Sequence, residues 1–203
     1  MLTIWGRINS HNVKKVVWLA EEMGLAYDRR DVGGPFGMDD AYRALNPNAL
    51  IPTIEDGGFT VWESNSILRY LASSHGGERF YPVESRARAS AERWMDWHFT
   101  WADAVRPIFF QMVRTSPDQR DAGLVARSVA RAAALSAILD EALERQPWLS
   151  GDAFGIGDIP VAAYANTWVQ LPVERPSRPN LERWYAALQE RDAFRNVVMI
   201  PLS

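Results

Sequence analysis

The sequence predicts an α/β unit followed by an all-helical unit, and three observations carry that prediction. Leu2–Trp5 alternates as a strand does and leads into Val13, Val16, Val17, Ala20 and Met23, which share one face of a helix. Two short apolar runs flank Asp56-Gly57-Gly58, whose glycines tolerate positive φ and so can close a hairpin. Beyond residue 80 no strand signal remains, and long tryptophan- and alanine-rich stretches take over.

Taken in order, Gly24 stops the first helix, and "AYDRRDV" supplies a second strand. The stretch "GGPFGMDDAYRALNPNAL", rich in Gly, Asp, Asn and Pro, reads as loop with a turn of helix near Tyr42. "IPTIEDGGFTVWES" then forms the hairpin, and a helix follows with Ile67, Leu68 and Leu71 on one face, ending before Gly76-Gly77. The order is a βαβ unit joined to a ββα unit. Residues 86 to about 115 read as a long helix bearing Trp94, Trp97, Phe99 and Trp101, bent at Pro107. "LVARSVARAAALSAILDEALERQ" is a second strong helix with Leu135, Ile138, Leu139 and Leu143 as its apolar face. Gly155–Gln170 and Arg178–Arg191 supply two more.

Composition bounds the function. A chain of 203 residues, 47% hydrophobic and 23% charged, fits one large globular domain or two small ones. Lys plus Arg number 22 against 25 Asp plus Glu, with no basic cluster, so no nucleic-acid partner is expected. The absence of cysteine excludes disulfides, thiolate metal sites and a protein thiol as nucleophile. The opening "MLTIWGRINS" lacks the pattern of a secretory signal, and no apolar run approaches the roughly 20 residues of a membrane helix. The expected location is therefore the cytosol, with no membrane partner. His11, His75 and His98 lack ligand spacing, so no metal is expected.

Three segments together resemble the cytosolic glutathione S-transferases of bacterial, serine-type character: "NSHNVKKV", "NPNALIPTIEDGGFTVWESNSILRYLA" and "WLSGDAFGIGDIPVAAY". The likeness covers essentially the whole chain. It implies a thioredoxin-like glutathione-binding domain over residues 1–79 and an all-helical domain over 86–203 that forms the acceptor pocket. It implies glutathione as co-substrate, a small hydrophobic electrophile as acceptor, and a homodimer. A glutathione-binding or protein-interaction module of the same fold, without catalysis, is the alternative.

The resemblance also assigns roles, each beside a plainer reading. Pro52 corresponds to a cis proline, which turns the main chain of Ile51 outward to pair with the cysteinyl unit of glutathione; alone, it reads as a proline opening a strand. Glu63 and Ser64 lie where a strand gives way to a helix. Ser64 serves simply as an N-cap worth about 1 kcal/mol, or the helix start seats the γ-glutamyl carboxylate while Glu63 takes the ligand's ammonium. Ser10 stands six residues before Val16, the family's spacing for the serine that steadies the glutathione thiolate. Ser10 or Asn12 supplies that donor, or either merely caps the helix.

A free thiol has a pKa of about 8.5, and lowering it by about two units takes about 2.7 kcal/mol. One charge-assisted hydrogen bond of about 1.5–3 kcal/mol supplies most of that. Arg7 reads as a surface arginine, or as a weaker candidate for tuning charge near the site. Two departures from the family pattern stand out. Gly155 replaces the usual Ser or Thr before Asp158, which can still bind a main-chain N–H, and Leu50 leaves Asn48 as the contact for the glycyl end. His98, Trp101, Phe109 and Phe110 are candidates to line the acceptor cleft, and Asn65 and Arg69 to cross a dimer interface.

Overall fold

The computed structural model describes residues 1–203. The first half contains β1 (Leu2–Trp5), α1 (His11–Glu22), β2 (Tyr27–Arg30), α2 (Asp40–Leu45), β3 (Thr53–Asp56), β4 (Phe59–Trp62) and α3 (Ser64–Leu71). The second contains α4 (Ser85–Phe109), α5 (Ala122–Glu144), α6 (Asp158–Gln170), α7 (Pro179–Gln189) and α8 (Asp192–Val197). The four strands lie in the order β2-β1-β3-β4, with β1 and β2 parallel and the remaining pairs antiparallel. The order of strands and helices is the one expected, including the short helix around Tyr42.

Register places Ile4 opposite Ile54 at the centre of the sheet, both fully buried. Val13, Val16 and Val17 bring α1 onto that layer, and Ile67, Leu68 and Leu71 bring α3 beside it. The β3–β4 turn closes through Gly57 and Gly58 at φ 58° and 90°, a region open chiefly to glycine. The halves share one core. A single cluster of 43 buried residues runs from the sheet through Trp18 to Phe154, Phe194 and Trp184, so the helical half packs directly on α1.

Several local expectations are corrected. α5 buries Ser128, Ala132, Ser136, Leu139 and Leu143, whereas Ile138 is exposed, because small residues let α5 lie against its neighbours. α5 also has the length and apolar composition of a membrane-crossing helix, contrary to the sequence reading, although Arg127 and Arg131 interrupt it and it packs on α4 and α7. The long helix expected to about residue 115 is present with Pro107 inside it, but only to Phe109 as α-helix, after which it widens into a π turn over Phe110–Arg114. α6 starts at Asp158 with Gly157 as its N-cap, three residues beyond the expected start at Gly155. α8 was not anticipated. It is only six residues long, too short for a periodic signal.

Candidate active site

The first turn of α1 is built around Gly6. Its φ is 144°, and a Cβ placed there would lie 2.5 Å from Val13 Cγ2 and 3.2 Å from Ile51 Cβ. Only glycine lets the end of β1, the start of α1 and the loop before β3 meet so closely. Ser10 is the N-cap of α1, yet its hydroxyl caps nothing: the chain bends with φ −78° and ψ 127°, and no side-chain hydrogen bond forms. Asn12 sits two residues further on in the same turn. Both line a cleft of about 200 Å³ with Arg7, Asn9 and His11. The opposite wall comes from Arg106 and Phe109 at the end of α4, Phe110 and Arg114 of the π turn, and Tyr164 of α6.

The loop before β3 is held from beneath. Leu50 carbonyl accepts from Tyr42 Oη at 2.5 Å and from Asn46 Nδ2 at 2.9 Å, and both donors also reach Thr53 Oγ1. The Ile51–Pro52 bond that follows is cis. Pro52 is buried, while the backbone N–H and C=O of Ile51 find no backbone partner. Asn48 is exposed and donates to Asn46 Oδ1 from both its N–H and its Nδ2, so its side chain is tied into the loop turn and lines no part of the cleft.

At the second helix start, Glu63 rather than Ser64 is the N-cap of α3, a correction to the capping expectation. Glu63 has φ 70° and ψ 110°, a conformation costing a non-glycine residue on the order of 1–3 kcal/mol and held by its surroundings. Ser64 is the first residue of α3 and buried, and no side chain caps the helix, so its leading N–H groups stay open at the positive end of the dipole.

Buried charge ties the two helix starts together. Lys15 is fully buried one turn below Asn12, and its Nζ lies 3.3 Å from Asn65 Oδ1 and 3.2 Å from His98 Nε2. Asn65 Nδ2 donates to Met95 carbonyl at 2.6 Å, and His98 Nδ1 bonds the same carbonyl, which leaves Nε2 to accept from Lys15. Burial pushes the Lys15 ammonium down to about 7, with Arg106 acting the same way and Glu63 opposing it. Burial also pushes His98 down to about 3. Next to Ser10, His11 stacks on Tyr164 at 4.6 Å and bonds Thr167 Oγ1 at 2.6 Å. Its pKa falls to about 3, first through burial and then through Lys14, Lys15, Arg106 and Arg114, so the ring is neutral.

The structure therefore brings Ser10 and Asn12 into one cleft, with Ile51 against the same turn and Glu63 and Ser64 linked to it through Lys15 and Asn65. His98 and Trp101 do not line the cleft; both are buried in the core, whereas Phe109 and Phe110 do line it. Asn65 is buried, and Arg69 pairs with Glu92 and Asp96 of the same chain. Arg7 is a cleft residue, not a surface one. A larger hollow of about 370 Å³ between α4 and α5, lined by Trp94, Trp97 and Ile138, includes none of these groups. Sequence reasoning missed Lys15, Arg106, Arg114 and Tyr164. The adjacent lysines of an otherwise apolar helix stretch were the one available signal, since an amphipathic helix normally leaves lysine to solvent.

A four-stranded sheet with a cis-proline loop and open helix starts, facing a helical layer across a cleft, defines the thioredoxin-like proteins that carry a helical second half. Family models described as the glutathione S-transferase N-terminal domain and C-terminal domain match residues 9–74 and 100–192. The glutathione S-transferase GstB of Escherichia coli is 44% identical over the full length of both chains. Glutathione S-transferase 3 of Zea mays is 30% identical over 99% of this chain and 95% of its own. A theta-class glutathione S-transferase from Xanthomonas axonopodis pv. citri, solved with glutathione bound, superposes with a TM-score of 0.95 at 45% identity, covering 100% of this chain and 99% of that one. The chain belongs to the glutathione S-transferase family.

Proposed function

We propose that the protein binds reduced glutathione against the α/β half, holds its sulfur as thiolate, and directs it at a small electrophile in the cleft. The observation that carries this reading is Ser10: it occupies the N-cap of α1 and lines the cleft, while its hydroxyl bonds nothing in the chain. That hydroxyl is a donor for sulfur, with Asn12 beside it and the open start of α1 adding positive potential. The unpaired main chain of Ile51 takes the cysteinyl backbone, and the uncapped start of α3, with Glu63, takes the γ-glutamyl end. Asn48 serves the glycyl end through the second proton of its Nδ2, since its N–H and the other amide proton are engaged with Asn46. Residues 1–79 act as the glutathione domain and 86–203 as the acceptor domain.

The test is a pH titration of bound glutathione followed by thiolate ultraviolet absorbance. Ser10→Ala should raise the bound thiol pKa by about 1–2 units and lower turnover in proportion, and Asn12→Ala should have the smaller effect. An unshifted thiol pKa in Ser10→Ala removes the serine from the mechanism. Glutathione binding with no thiolate at any pH near neutrality supports the non-catalytic module instead. The protein is further proposed to act in the cytosol as a two-fold homodimer. Phe59 and Trp62 on the edge strand β4 are exposed apolar surface suited to a partner subunit, and a monomeric sedimentation coefficient at micromolar concentration would remove that element.

A further inference from the structure

The charge of the cleft says what kind of acceptor it takes. Arg7, Arg106 and Arg114 line it, and no aspartate or glutamate does, although the chain as a whole carries a net charge of −3. Several arginines elsewhere are held by a carboxylate, as Arg69 is by Glu92 at 2.9 Å, Arg145 by Glu141 at 2.6 Å and Arg191 by Glu22 at 2.5 Å. The cleft arginines are spent otherwise. Arg7 reaches only the amide oxygen of Asn9, and its Nε is buried without any partner. Gly34 makes room for it, since a Cβ there would stand 2.9 Å from that nitrogen. Arg106 has Asp103 at 3.7 Å, an exposed contact one turn back along the helix. Arg114 gives Nη2 to the carbonyl of Ser203 and lies over the rings of Phe109 and Phe110 at 5.1 Å and 5.4 Å. Burial and the neighbouring Arg114 both depress the Arg7 guanidinium, a repulsion that nothing in the cleft relieves.

An anion in this cleft meets three guanidinium groups and no lining carboxylate, while Phe109, Phe110 and Tyr164 supply its aromatic lining, with Phe110 the exposed ring among them. Resting on the transferase reading above, we propose that the acceptor class is an aromatic electrophile bearing a carboxylate or comparable anionic group. For an aryl chloride the step balances simply. Glutathione releases its thiol proton to solvent, the thiolate sulfur forms a bond to the chlorine-bearing carbon, and the C–Cl bond breaks with its electron pair leaving on chloride.

The test compares 4-chloro-3,5-dinitrobenzoate with 4-chloro-3,5-dinitrobenzamide at saturating glutathione, each kcat/KM divided by the uncatalysed rate constant of the same pair. The benzoate should be preferred by about tenfold or more, the worth of one charge-assisted contact. That preference should shrink in Arg106→Gln and Arg114→Gln, and with added salt, because both side chains are exposed and screened. An equal or reversed preference in the natural chain overturns the inference, and so does a preference that neither substitution alters. An Arg114→Gln variant that weakens glutathione binding while the preference holds overturns it too, assigning the arginine to glutathione's own carboxylate. Bound thiolate without turnover of either acceptor likewise rules out this acceptor class. Absence of thiolate would overturn the transferase reading itself.

Discussion

Lys15 shows how a single residue sets the pH response. Its pKa falls from 10.5 to about 7 because the folded chain buries it. Between those values the unfolded chain binds a proton that the folded chain does not, so stability rises with pH across the window and the penalty is complete below about 7. Lys14, whose Nζ donates to Val198 carbonyl at 3.0 Å, is pushed down to about 8 and acts in the same direction. Lys15→Met should therefore flatten the climb between about 7 and 8 while leaving the part that Lys14 contributes above 8. Urea midpoints measured along that pH range check it, with a slope of up to about 1.4 kcal/mol per pH unit per group at stake. His11 and His98 add an acid limb. With both pKa values near 3 against an ordinary 6.5, the unfolded chain gains protons first as pH drops from 6.5, and stability falls until about 3.

At the scale of elements, the start of α6 depends on one carboxylate. Asp158 is fully buried and accepts from the N–H groups of Leu149, Ser150 and Gly155 and from Trp184 Nε1, so it fastens α6, the preceding loop and α7 at once. Burial pushes its carboxyl above the ordinary value, and the donors oppose that shift. Asp158→Ala strands these donors and should destabilise the protein by about 3 kcal/mol or more, read from thermal or urea unfolding, with glutathione contacts untouched. The same element shows what was legible beforehand. Asp158 binding back to Gly155 followed from the motif, but the helix start three residues later did not, because Gly157 approaches Ala91 carbonyl so closely that a Cβ would lie at 2.7 Å, a packing fact invisible in one strand of sequence. Strands and the α1, α3 and α4 patterns were readable because their apolar periods are strong. On α5, Leu139 and Leu143 were read correctly and Ile138 was not, because Ser128, Ala132 and Ser136 complete the buried face. Ser10, Ile51 and Glu63 were singled out by the family resemblance, whereas Arg106 and Arg114 became cleft residues only once the end of α4 met the first turn of α1.

Over the whole molecule, α1 is the shared wall. Glu22 is bound by Arg191 Nε at 2.7 Å and by Trp18 Nε1 at 2.9 Å, while Arg191 lies 4.0 Å from the ring centroid of Phe154. With His11 on Thr167 and Lys14 on Val198, every turn of α1 has a partner in the helical half. The two halves should unfold in one transition, and calorimetric and van't Hoff enthalpies that agree would bear this out. Lys14 and Lys15 are the chain's only lysines, and both are interior. A lysine-specific protease thus has nowhere to cut the intact fold, and its cleavage rate becomes a direct clock for the opening of the seam on which the active cleft is built.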